Sequence, residues 1–472
     1  MGEPEGVIGT DNDRGDGART GGGRGASVAV EGIRAPATVA LPRVVRVHQE
    51  FPTPGRCDVE AEIHRQIEVP DIARRVPRGR VAVAVGSRGV AEIPLITKAV
   101  VDALRRCGAE PFVVPAMGSH GGATAEGQRE VLAGLGVTEA AVGAPIVSSM
   151  DVVELGRLAD GSGVFWDREA FEAGAAVAVG RVKPHTAFRG TIESGLVKMA
   201  VIGIGKQRGA QSMHAPGFGG FAGRLVEGYG IVARRAPLLF GVATVEDAYD
   251  VPVQVAVVAP EEFLAREPAL LDRARGLMAR LPVNAADVLV VQEIGKNISG
   301  DGMDPNLTGR YPTPFASGGP VIRKIAVLDL TDETQGNANG VGMADLIAQR
   351  VLRKVDLGAT YMNALTSTVI DSVRLPMVLA TDRDVLDAAV LTAPRIDGGE
   401  ARLVYIRNTL AVREVAVSEA LVPDLLPHAA VVKGASPMAL SFTDDGTLRP
   451  PLGPAPARRM GQAAGRPDPG NF

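Results

Sequence analysis

The stretch that decides the fold is residues 81–115, VAVAVGSRGVAEIPLITKAVVDALRRCGAEPFVVP. It begins with a short apolar run, continues at residues 94–107 with apolar side chains at helical spacing, and ends with a second apolar run at 111–115. A strand, a helix and another strand in this order are typical of a parallel βαβ unit. We therefore predict a parallel sheet in which residues 81–85 and 111–115 form strands.

The same alternation continues on both sides of a long helical pattern at residues 261–281. Strand patterns recur at residues 175–179 and 238–242 before it, and at 286–291 and 325–330 after it. This rhythm predicts the α/β fold class, with two α/β domains, mainly parallel sheets and a cleft between the domains.

Composition sets the predicted domain limits. Residues 1–36 are rich in Gly, Arg and Asp without periodicity, which predicts a disordered leader. Residues 37–281 are predicted to form the N-terminal α/β domain, which binds the cofactor, and residues 282–430 the C-terminal α/β domain, which closes over the substrate. Residues 431–472 are predicted to be a mostly flexible tail rich in Pro, Gly and Arg.

Charge and composition exclude several classes of function. The chain has 472 residues, with 50 Lys and Arg against 54 Asp and Glu and with 4% aromatic residues, which argues against general nucleic-acid binding. It has no apolar run long enough to predict a membrane span, and its start lacks a secretory pattern. Cys57 and Cys107 are too few for a thiolate metal cluster. We expect a cytoplasmic protein.

Glycine-rich motifs follow several predicted strands, where open α/β sheets form ligand sites. Arg88, in Gly86-Ser-Arg-Gly, has the planar guanidinium that binds carboxylate or phosphate. His120, in Gly118-Ser-His-Gly-Gly, lies between a strand and a helix and suits general acid/base chemistry. Taken alone, each residue also fits a plain structural role in a surface turn or loop.

Two further motifs follow the strand pattern at 175–179. One of them holds His185 and Lys198. Because Lys198 lies on an apolar stretch, it either is desolvated and suited to covalent chemistry or keeps its ammonium group in water with only its stem buried. The other contains Lys206 and Arg208 among glycines, which favours anion binding, and ends at His214, a possible metal ligand or a structural histidine.

In their order along the chain, these motifs resemble the lactate racemase family. The resemblance extends from about residue 40 to 430 and is strongest from Arg88 to His214. It implies a covalently bound nickel-pincer nucleotide, a pyridinium mononucleotide that holds nickel through two sulfurs and one carbon. Lys198 would be the lysine in its thioamide link, and His214 would be the fourth nickel ligand, since a planar site suits Ni(II).

The resemblance also implies a reaction, the racemisation or epimerisation of a 2-hydroxy acid. His120 and His185 would lie on opposite faces of the substrate carbon. One would remove the hydroxyl proton while hydride moves to the cofactor, and the second would manage the proton when hydride returns to the other face. Arg88, Gln292 and Lys296 would bind the substrate. The implied partners are the small hydroxy acid and cofactor-synthesis proteins, with no nucleic acid or membrane.

Departures from the family pattern leave the substrate open. The interval from His185 to Lys198 is longer, Gly86-Ser87 replaces the usual Asp-x-Thr, and the match at Gln292 and Lys296 is loose. The polar loops at 300–306 and 336–340 have no counterpart, and either set substrate choice or form simple turns.

Two other functions remain open from sequence. His120, His185 and His214 could bind zinc in a hydrolase or lyase. Alternatively, the fold could bind the nucleotide or a hydroxy acid without catalysis, although a carrier needs no pair of acid/base histidines.

Overall fold

The computed structural model of the chain describes residues 31–87, 90–394 and 400–453. The strands, in chain order, are β1 (Val44–Gln49), β2 (Gly79–Val85), β3 (Ala109–Pro115), β4 (Val152–Arg157), β5 (Gly163–Asp167), β6 (Ala176–Arg181), β7 (Leu238–Glu246), β8 (Pro252–Val258), β9 (Ala285–Ile294), β10 (Val321–Leu330), β11 (Leu346–Ala348), β12 (Met377–Leu379), β13 (Leu403–Ile406), β14 (Glu414–Ser418) and β15 (Ala429–Val431). The helices are α1 (Val59–Ile67), α2 (Pro70–Ala73), α3 (Ile93–Arg106), α4 (Ala125–Gly134), α5 (Glu139–Val142), α6 (Arg168–Glu172), α7 (Leu196–Lys198), α8 (Lys206–His214), α9 (Phe221–Arg235), α10 (Phe263–Leu277), α11 (Pro305–Thr308), α12 (Gln349–Lys354), α13 (Leu357–Ser367) and α14 (Asp382–Thr392). A π-helical turn, Met199–Gly203, continues α7.

Within the described residues, the strands form two large sheets and one antiparallel pair, β4 and β5. The smaller large sheet has the order β3-β2-β6-β7-β8, and all of its neighbours run parallel except β7 and β8. The larger has the order β12-β11-β10-β9-β13-β14-β1-β15, and its first five strands run parallel. The predicted α/β class with mainly parallel sheets is therefore confirmed.

The apolar run at 81–85 becomes a central strand because both of its faces are covered. Val81, Val83 and Val85 lie in a core with α1 and α3, whereas Ala82 and Ala84 lie in a core with α9. A parallel strand buried on both sides reads as a continuous apolar run, as here. These two layers of helices position the smaller sheet.

Two helix limits have local causes in the sequence. Gly108 follows α3 with φ +90°, a conformation that favours glycine at the end of a helix. Thr124 precedes α4, and its Oγ1 accepts a hydrogen bond from the backbone N of Gly127 at 3.0 Å.

The predicted domain limits need two corrections. Strand β1 falls within the predicted N-terminal domain, but it pairs with β14 and β15 in the larger sheet. The predicted flexible tail holds structure up to residue 453: Met438 pairs with Val44, and Leu448 and Leu452 are buried. Both errors have one cause, because strand partners distant in sequence leave no local pattern.

Other parts of the predicted domain organisation stay predictions. The change from the smaller to the larger sheet occurs between Val258 and Ala285, the region where we predicted the domain boundary. The cleft between two domains is not tested. Residues 1–30 of the predicted leader and residues 454–472 of the tail lie outside the described residues.

Over the described part of the chain, every helix is too short or too polar to cross a bilayer.

Candidate active site

Three loops at the carboxyl edge of the smaller sheet meet one helical segment. Ser87 follows β2, His120 follows β3 and His185 follows β6. The segment, here called the anchor segment, is residues 196–214, which comprise α7, the π-helical turn and α8. Carboxyl ends of neighbouring parallel strands meet at one edge of a sheet. Residues that are far apart in sequence therefore gather around the anchor segment.

Two of the predicted site residues are in direct contact. Nζ of Lys198 lies 2.6 Å from Nε2 of His185. The loop between them is closed at its base, where the backbone N of Lys183 donates to the carbonyl of Ser194 at 3.0 Å and the reverse bond measures 3.3 Å. The structure thus brings the predicted tether and one predicted acid/base residue together.

The turn after His185 determines which ring nitrogen carries hydrogen. The backbone N of Ala187 donates a hydrogen bond to Nδ1 of His185 at 3.0 Å. A ring nitrogen that accepts carries no hydrogen, so the neutral ring has its hydrogen on Nε2, the atom that faces Lys198. Desolvation lowers the pKa of His185 well below its ordinary value, and the charge of Lys198 adds to the effect. His185 is therefore neutral at physiological pH.

A buried carboxylate supports the His185 loop from below. Glu193 is fully buried, and its carboxylate accepts hydrogen bonds from the backbone N of His185 at 2.7 Å and from Arg275 at 2.6 Å. Arg189 lies 3.4 Å from the same carboxylate. Arg275 belongs to α10, so this helix fixes the loop that carries His185.

The same helix also fixes the start of the anchor segment. Glu267, 1% exposed, accepts a hydrogen bond from the backbone N of Val197 at 2.9 Å. Burial raises the pKa of Glu267 to about 7. A Cβ at position 195 would lie 2.4 Å from Oε1 of Glu267, so this close approach requires the glycine found there.

The ring of His214 is oriented as a metal ligand requires. Its Nδ1 lies 2.6 Å from the carbonyl oxygen of Ala210 and must donate to it, which leaves the lone pair on Nε2. Desolvation lowers the pKa of His214 to about 4, and Lys198 adds to the effect. Phe218 and Phe221 flank the ring at centroid distances of 5.5 and 5.0 Å. A neutral imidazole with a directed lone pair fits the predicted nickel-ligand role.

His120 lies in a loop that packs on the anchor segment. The backbone N of Gly118 donates to the carbonyl of Gly203 at 3.1 Å, and the hydroxyl of Ser87 contacts Nδ1 of His120. The fully buried Gln128 donates its side-chain amide to the carbonyls of Gly118 at 2.9 Å and His120 at 3.3 Å. Ser87 can therefore accept from Nδ1, which would leave Nε2 of His120 as a base.

The predicted anion-binding role of Lys206 is wrong. Its ammonium is fully buried and pairs with Asp167 at 2.9 Å, and it donates to the carbonyl of Pro115 at 2.5 Å. Arg208 lies over the ring of Phe165 at 4.5 Å. A lysine already paired in the core does not bind a ligand, and Lys206 instead joins the end of β3 to the anchor segment.

Residues from the half of the chain that forms the larger sheet contact the His185 loop and the end of the anchor segment. Arg189 donates to the side chains of Asn306 at 2.5 Å and Tyr311 at 2.8 Å. Thr368, which ends α13, donates to the carbonyl of His214 at 3.4 Å. Asn306 lies at the end of the polar loop at 300–306, so this loop contacts the neighbourhood of His185.

The remaining predicted substrate residues occupy different surroundings. The ammonium of Lys296 contacts the side chain of Asn363 in α13. Gln292 accepts a hydrogen bond from the hydroxyl of Tyr405 at 3.0 Å. Arg88 lies outside the described residues.

The two unassigned polar loops contact each other. Nδ2 of Asn339 lies 3.0 Å from the carbonyl of Gly300 and 3.2 Å from Oδ1 of Asp301. The 336–340 loop therefore supports the 300–306 loop, and through Asn306 the pair is joined to Arg189.

The three histidines do not assemble a conventional metal centre. Among the residues that the structure describes, no group of three or more His, Cys, Asp or Glu side chains is arranged to hold a metal ion. A zinc site made by His120, His185 and His214 is therefore not supported by the arrangement of these side chains.

Comparison with known proteins identifies the N-terminal part of the chain. Residues 44–219 match the family described as the lactate racemase N-terminal domain. This part of the chain is therefore similar to the N-terminal domain of lactate racemases. The matched residues include His120, His185, Lys198 and His214, whereas Gln292 and Lys296 lie outside them.

Relatives of known structure or curated function are distant. A solved structure, the lactate racemase apoprotein from Thermoanaerobacterium thermosaccharolyticum, is 14% identical, with a TM-score of 0.49 over 78% of this chain and 99% of that chain. No curated protein matches the sequence. The roles of individual residues in this chain stay predictions.

Sequence reasoning missed the side chains that support the lactate racemase motifs. Glu193 and Arg189 lie between the predicted site residues His185 and Lys198 but had no predicted role, and Glu267 was predicted only as part of the helical pattern at 261–281. A glutamate in an otherwise apolar or glycine-rich stretch was the available signal, since an isolated buried carboxylate needs partners.

Proposed function

We propose that this protein racemises or epimerises a 2-hydroxy acid by means of a nickel-pincer nucleotide tethered to Lys198. The observation that supports this most directly is the 2.6 Å contact between Nζ of Lys198 and Nε2 of His185. A tether lysine and an acid/base residue must lie at the same place if both act on one cofactor-bound substrate. The similarity of residues 44–219 to the lactate racemase N-terminal domain supports the reaction class.

Two side chains would hold the cofactor. Lys198 would form the thioamide link, and Nε2 of His214 would bind nickel, since its other nitrogen is engaged by Ala210. The chemistry that such a nucleotide supplies when bound is reversible acceptance of hydride from the carbon that carries the hydroxyl group. Proteins that synthesise this cofactor would be required as partners.

The two predicted acid/base histidines would handle protons. His120 takes the hydroxyl proton on one face, and His185 exchanges the proton on the other, because inversion at one carbon needs a group on each face. His185 would do so through Nε2, the atom that contacts Lys198, since its Nδ1 accepts a hydrogen bond from the backbone N of Ala187. Arg88, Gln292 and Lys296 would bind the substrate.

Intact mass spectrometry tests the tether. The protein is purified from a host that makes the cofactor and loads a known family member, beside Lys198→Ala and the matched control Lys433→Ala. We expect an adduct of the cofactor's mass on the wild type and on Lys433→Ala, and none on Lys198→Ala. An unmodified wild-type chain from such a host would refute the proposal.

Turnover is tested on the loaded protein with single enantiomers of 2-hydroxy acids, including sugar acids, by chiral chromatography. We expect one of them to racemise or epimerise, and His120→Gln to abolish it. A loaded protein whose turnover survives loss of either His120 or His185 would contradict the proposed roles.

A further inference from the structure

A buried ion pair lies beside the His120 loop and has no part in the proposed reaction. Nζ of Lys206 lies 2.9 Å from Oδ2 of Asp167, and the two side chains are 0% and 1% exposed. Burial lowers the pKa of Lys206, whereas the charge of Asp167 acts in the opposite direction. A buried ion pair adds little stability, because lost hydration offsets the attraction between the charges. Stability alone therefore does not explain why these two residues stand in the core.

The backbone at Lys206 is unfavourable as well. Its φ is +54°, in the left-handed region that favours glycine, and the chain has glycines at the nearby positions 203 and 205. A residue with a Cβ is strained in this conformation. A lysine at a position where glycine would be less strained indicates that its side chain is needed there.

The ammonium of Lys206 has three acceptors around it, one for each hydrogen. Besides the carboxylate, it donates to the carbonyl of Pro115 at 2.5 Å and to Oε1 of Gln128 at 3.5 Å. An ammonium has donors only, so the Gln128 amide must present its oxygen to Lys206. The amide nitrogen then faces the carbonyls of Gly118 at 2.9 Å and His120 at 3.3 Å and donates to both.

We propose that Lys206 is a positioning residue for His120, because the buried cation fixes the Gln128 amide in the orientation that binds both carbonyls of the His120 loop. Lys206 acts through Gln128. The role of His120 in catalysis rests on the proposed function, but the support of its loop by Lys206 does not.

The ion pair also joins this support to the anchor segment. Lys206 starts α8, Asp167 ends β5, and Gln128 belongs to α4, which follows the His120 loop. The backbone N of Asp167 donates to the carbonyl of Ile204 at 3.0 Å, so the pair is bound to the anchor segment at two points. The His120 loop is thereby held at a fixed place relative to that segment.

Chemical modification of protein purified without cofactor tests the support of the loop. The probe is diethylpyrocarbonate near neutral pH, and carbethoxylation of His120 and of His48, in β1, is followed by peptide mass spectrometry. The neutral-pair variant combines Lys206→Met with Asp167→Asn, which removes both charges and keeps the Oδ1 that accepts from the backbone N of Ala170. We expect His120 to react several-fold faster in this variant, because its loop is no longer fixed, and His48 to react at the wild-type rate.

A matched control neutralises an ion pair in the other half of the chain. Arg350 and the fully buried Asp382 lie 2.8 Å apart, and Arg350→Met combined with Asp382→Asn removes both charges there. This variant should leave carbethoxylation of His120 unchanged. The comparison separates support of the His120 loop from a general loosening of the fold.

A double-mutant cycle on the loaded enzyme tests whether Lys206 acts through Gln128. The neutral-pair variant and Gln128→Met should each lower kcat for the hydroxy acid about tenfold, which corresponds to about 1.4 kcal/mol, with KM nearly unchanged. The combination should also lower kcat about tenfold, since the second change removes nothing further, whereas independent structural effects would multiply to about 100-fold.

Two outcomes would overturn the proposal: carbethoxylation of His120 at the wild-type rate in the neutral-pair variant, and a multiplied effect in the cycle. If the neutral-pair variant does not fold, as judged by circular dichroism, Lys206→Arg decides instead. Arginine keeps the charge beside Asp167, but its planar fork cannot direct a hydrogen at Oε1 of Gln128 from the same point, so His120 should again react faster and a wild-type rate would count against the proposal. Failure of the proposed function would show separately, as a missing cofactor adduct in a loading host, and would leave the carbethoxylation result as it is.

Discussion

The loops of His185 and His120 lie at the same edge of one sheet, but different chemistry holds each of them. The His185 loop rests on the charged, buried Glu193, whose partner Arg275 comes from α10. The His120 loop rests on the neutral amide of Gln128, which comes from the helix that directly follows the loop.

The difference shows how far each loop is coupled to the rest of the molecule. The His185 loop also contacts Asn306 and Tyr311 through Arg189, so it joins the smaller sheet to the half of the chain that forms the larger one. The His120 loop is supported within the smaller sheet and the anchor segment. Changes to the supports of His185 should therefore reduce both stability and cofactor attachment, whereas changes at Gln128 should reduce stability and turnover but leave cofactor attachment unchanged.

The largest effect is expected for Glu193→Ala. Removing one partner from a buried ion pair typically costs about 3–5 kcal/mol, and here the backbone N of His185 also loses its acceptor. We expect a fall of this size in the free energy of unfolding, measured with denaturant, together with loss of the cofactor adduct.

The control for Glu193→Ala is Glu154→Ala, since Glu154 forms a surface ion pair with Arg157. Exposed pairs contribute about 0–1 kcal/mol, so this variant should be nearly as stable as the wild type. Equal stabilities of the two variants would mean that the His185 loop is not held by a buried charge.

A second effect concerns Glu267 and pH. Burial raises the pKa of Glu267 in the folded protein to about 7, above its ordinary value of 4.5, so the folded state binds the proton more tightly than the unfolded state. The free energy of unfolding should therefore fall by roughly 3 kcal/mol as pH rises from 4.5 to 7, and stay at the lower value above that.

Glu267→Gln isolates this contribution, since glutamine does not titrate. The difference in unfolding free energy between wild type and variant should change across this pH window, with the wild type losing stability relative to the variant as pH rises. A difference independent of pH would show that Glu267 does not titrate with a raised pKa.

Much of the fold could be predicted because it depends on local patterns. The apolar run at 81–85 and the helical spacing at 94–107 correctly predicted a strand and the helix after it. The placement of β1 could not be predicted, since its partner strands β14 and β15 lie at the other end of the chain.

The candidate site could be predicted only in part from the sequence. The order of motifs indicated His185, Lys198 and His214, and the structure brings the first two into contact. The residues that support them could not be predicted. Glu267 binds the backbone N of Val197 across 70 residues of sequence, and such a long-range contact leaves no periodic pattern. The role of Lys206 was predicted wrongly for a similar reason. Its partner Asp167 lies at the end of β5, far from Lys206 in sequence, and neutralises it in the core.

A third effect, smaller than the first two, is expected for Gln128→Met. The variant keeps the length of the side chain but leaves the carbonyls of Gly118 and His120 without this donor, which costs about 1–3 kcal/mol. Turnover of a loaded enzyme should fall because His120 is less well positioned, while the yield of cofactor adduct stays at the wild-type level.

Gln66→Met is the matched control for Gln128→Met. Gln66 donates to the carbonyl of Val255 at 2.9 Å and accepts from Val257 at 2.7 Å, away from both histidine loops. It should cost a similar amount of stability without changing turnover. If Gln128→Met loses the cofactor adduct and Gln66→Met keeps it, the His120 loop also affects cofactor attachment, contrary to this prediction.

The smallest effect is expected for Arg189→Lys, which tests whether the His185 loop works together with the second half of the chain. Lysine keeps the charge beside Glu193 but cannot reach Asn306 and Tyr311 with the two nitrogens of a planar fork. Because the side chain is partly exposed, stability should change by less than about 1 kcal/mol. We expect kcat/KM for the hydroxy acid to fall about tenfold, which corresponds to about 1.4 kcal/mol, with adduct yield unchanged. An unchanged kcat/KM would mean that the contact with Asn306 and Tyr311 serves packing and that the His185 loop positions its histidine from α10 alone.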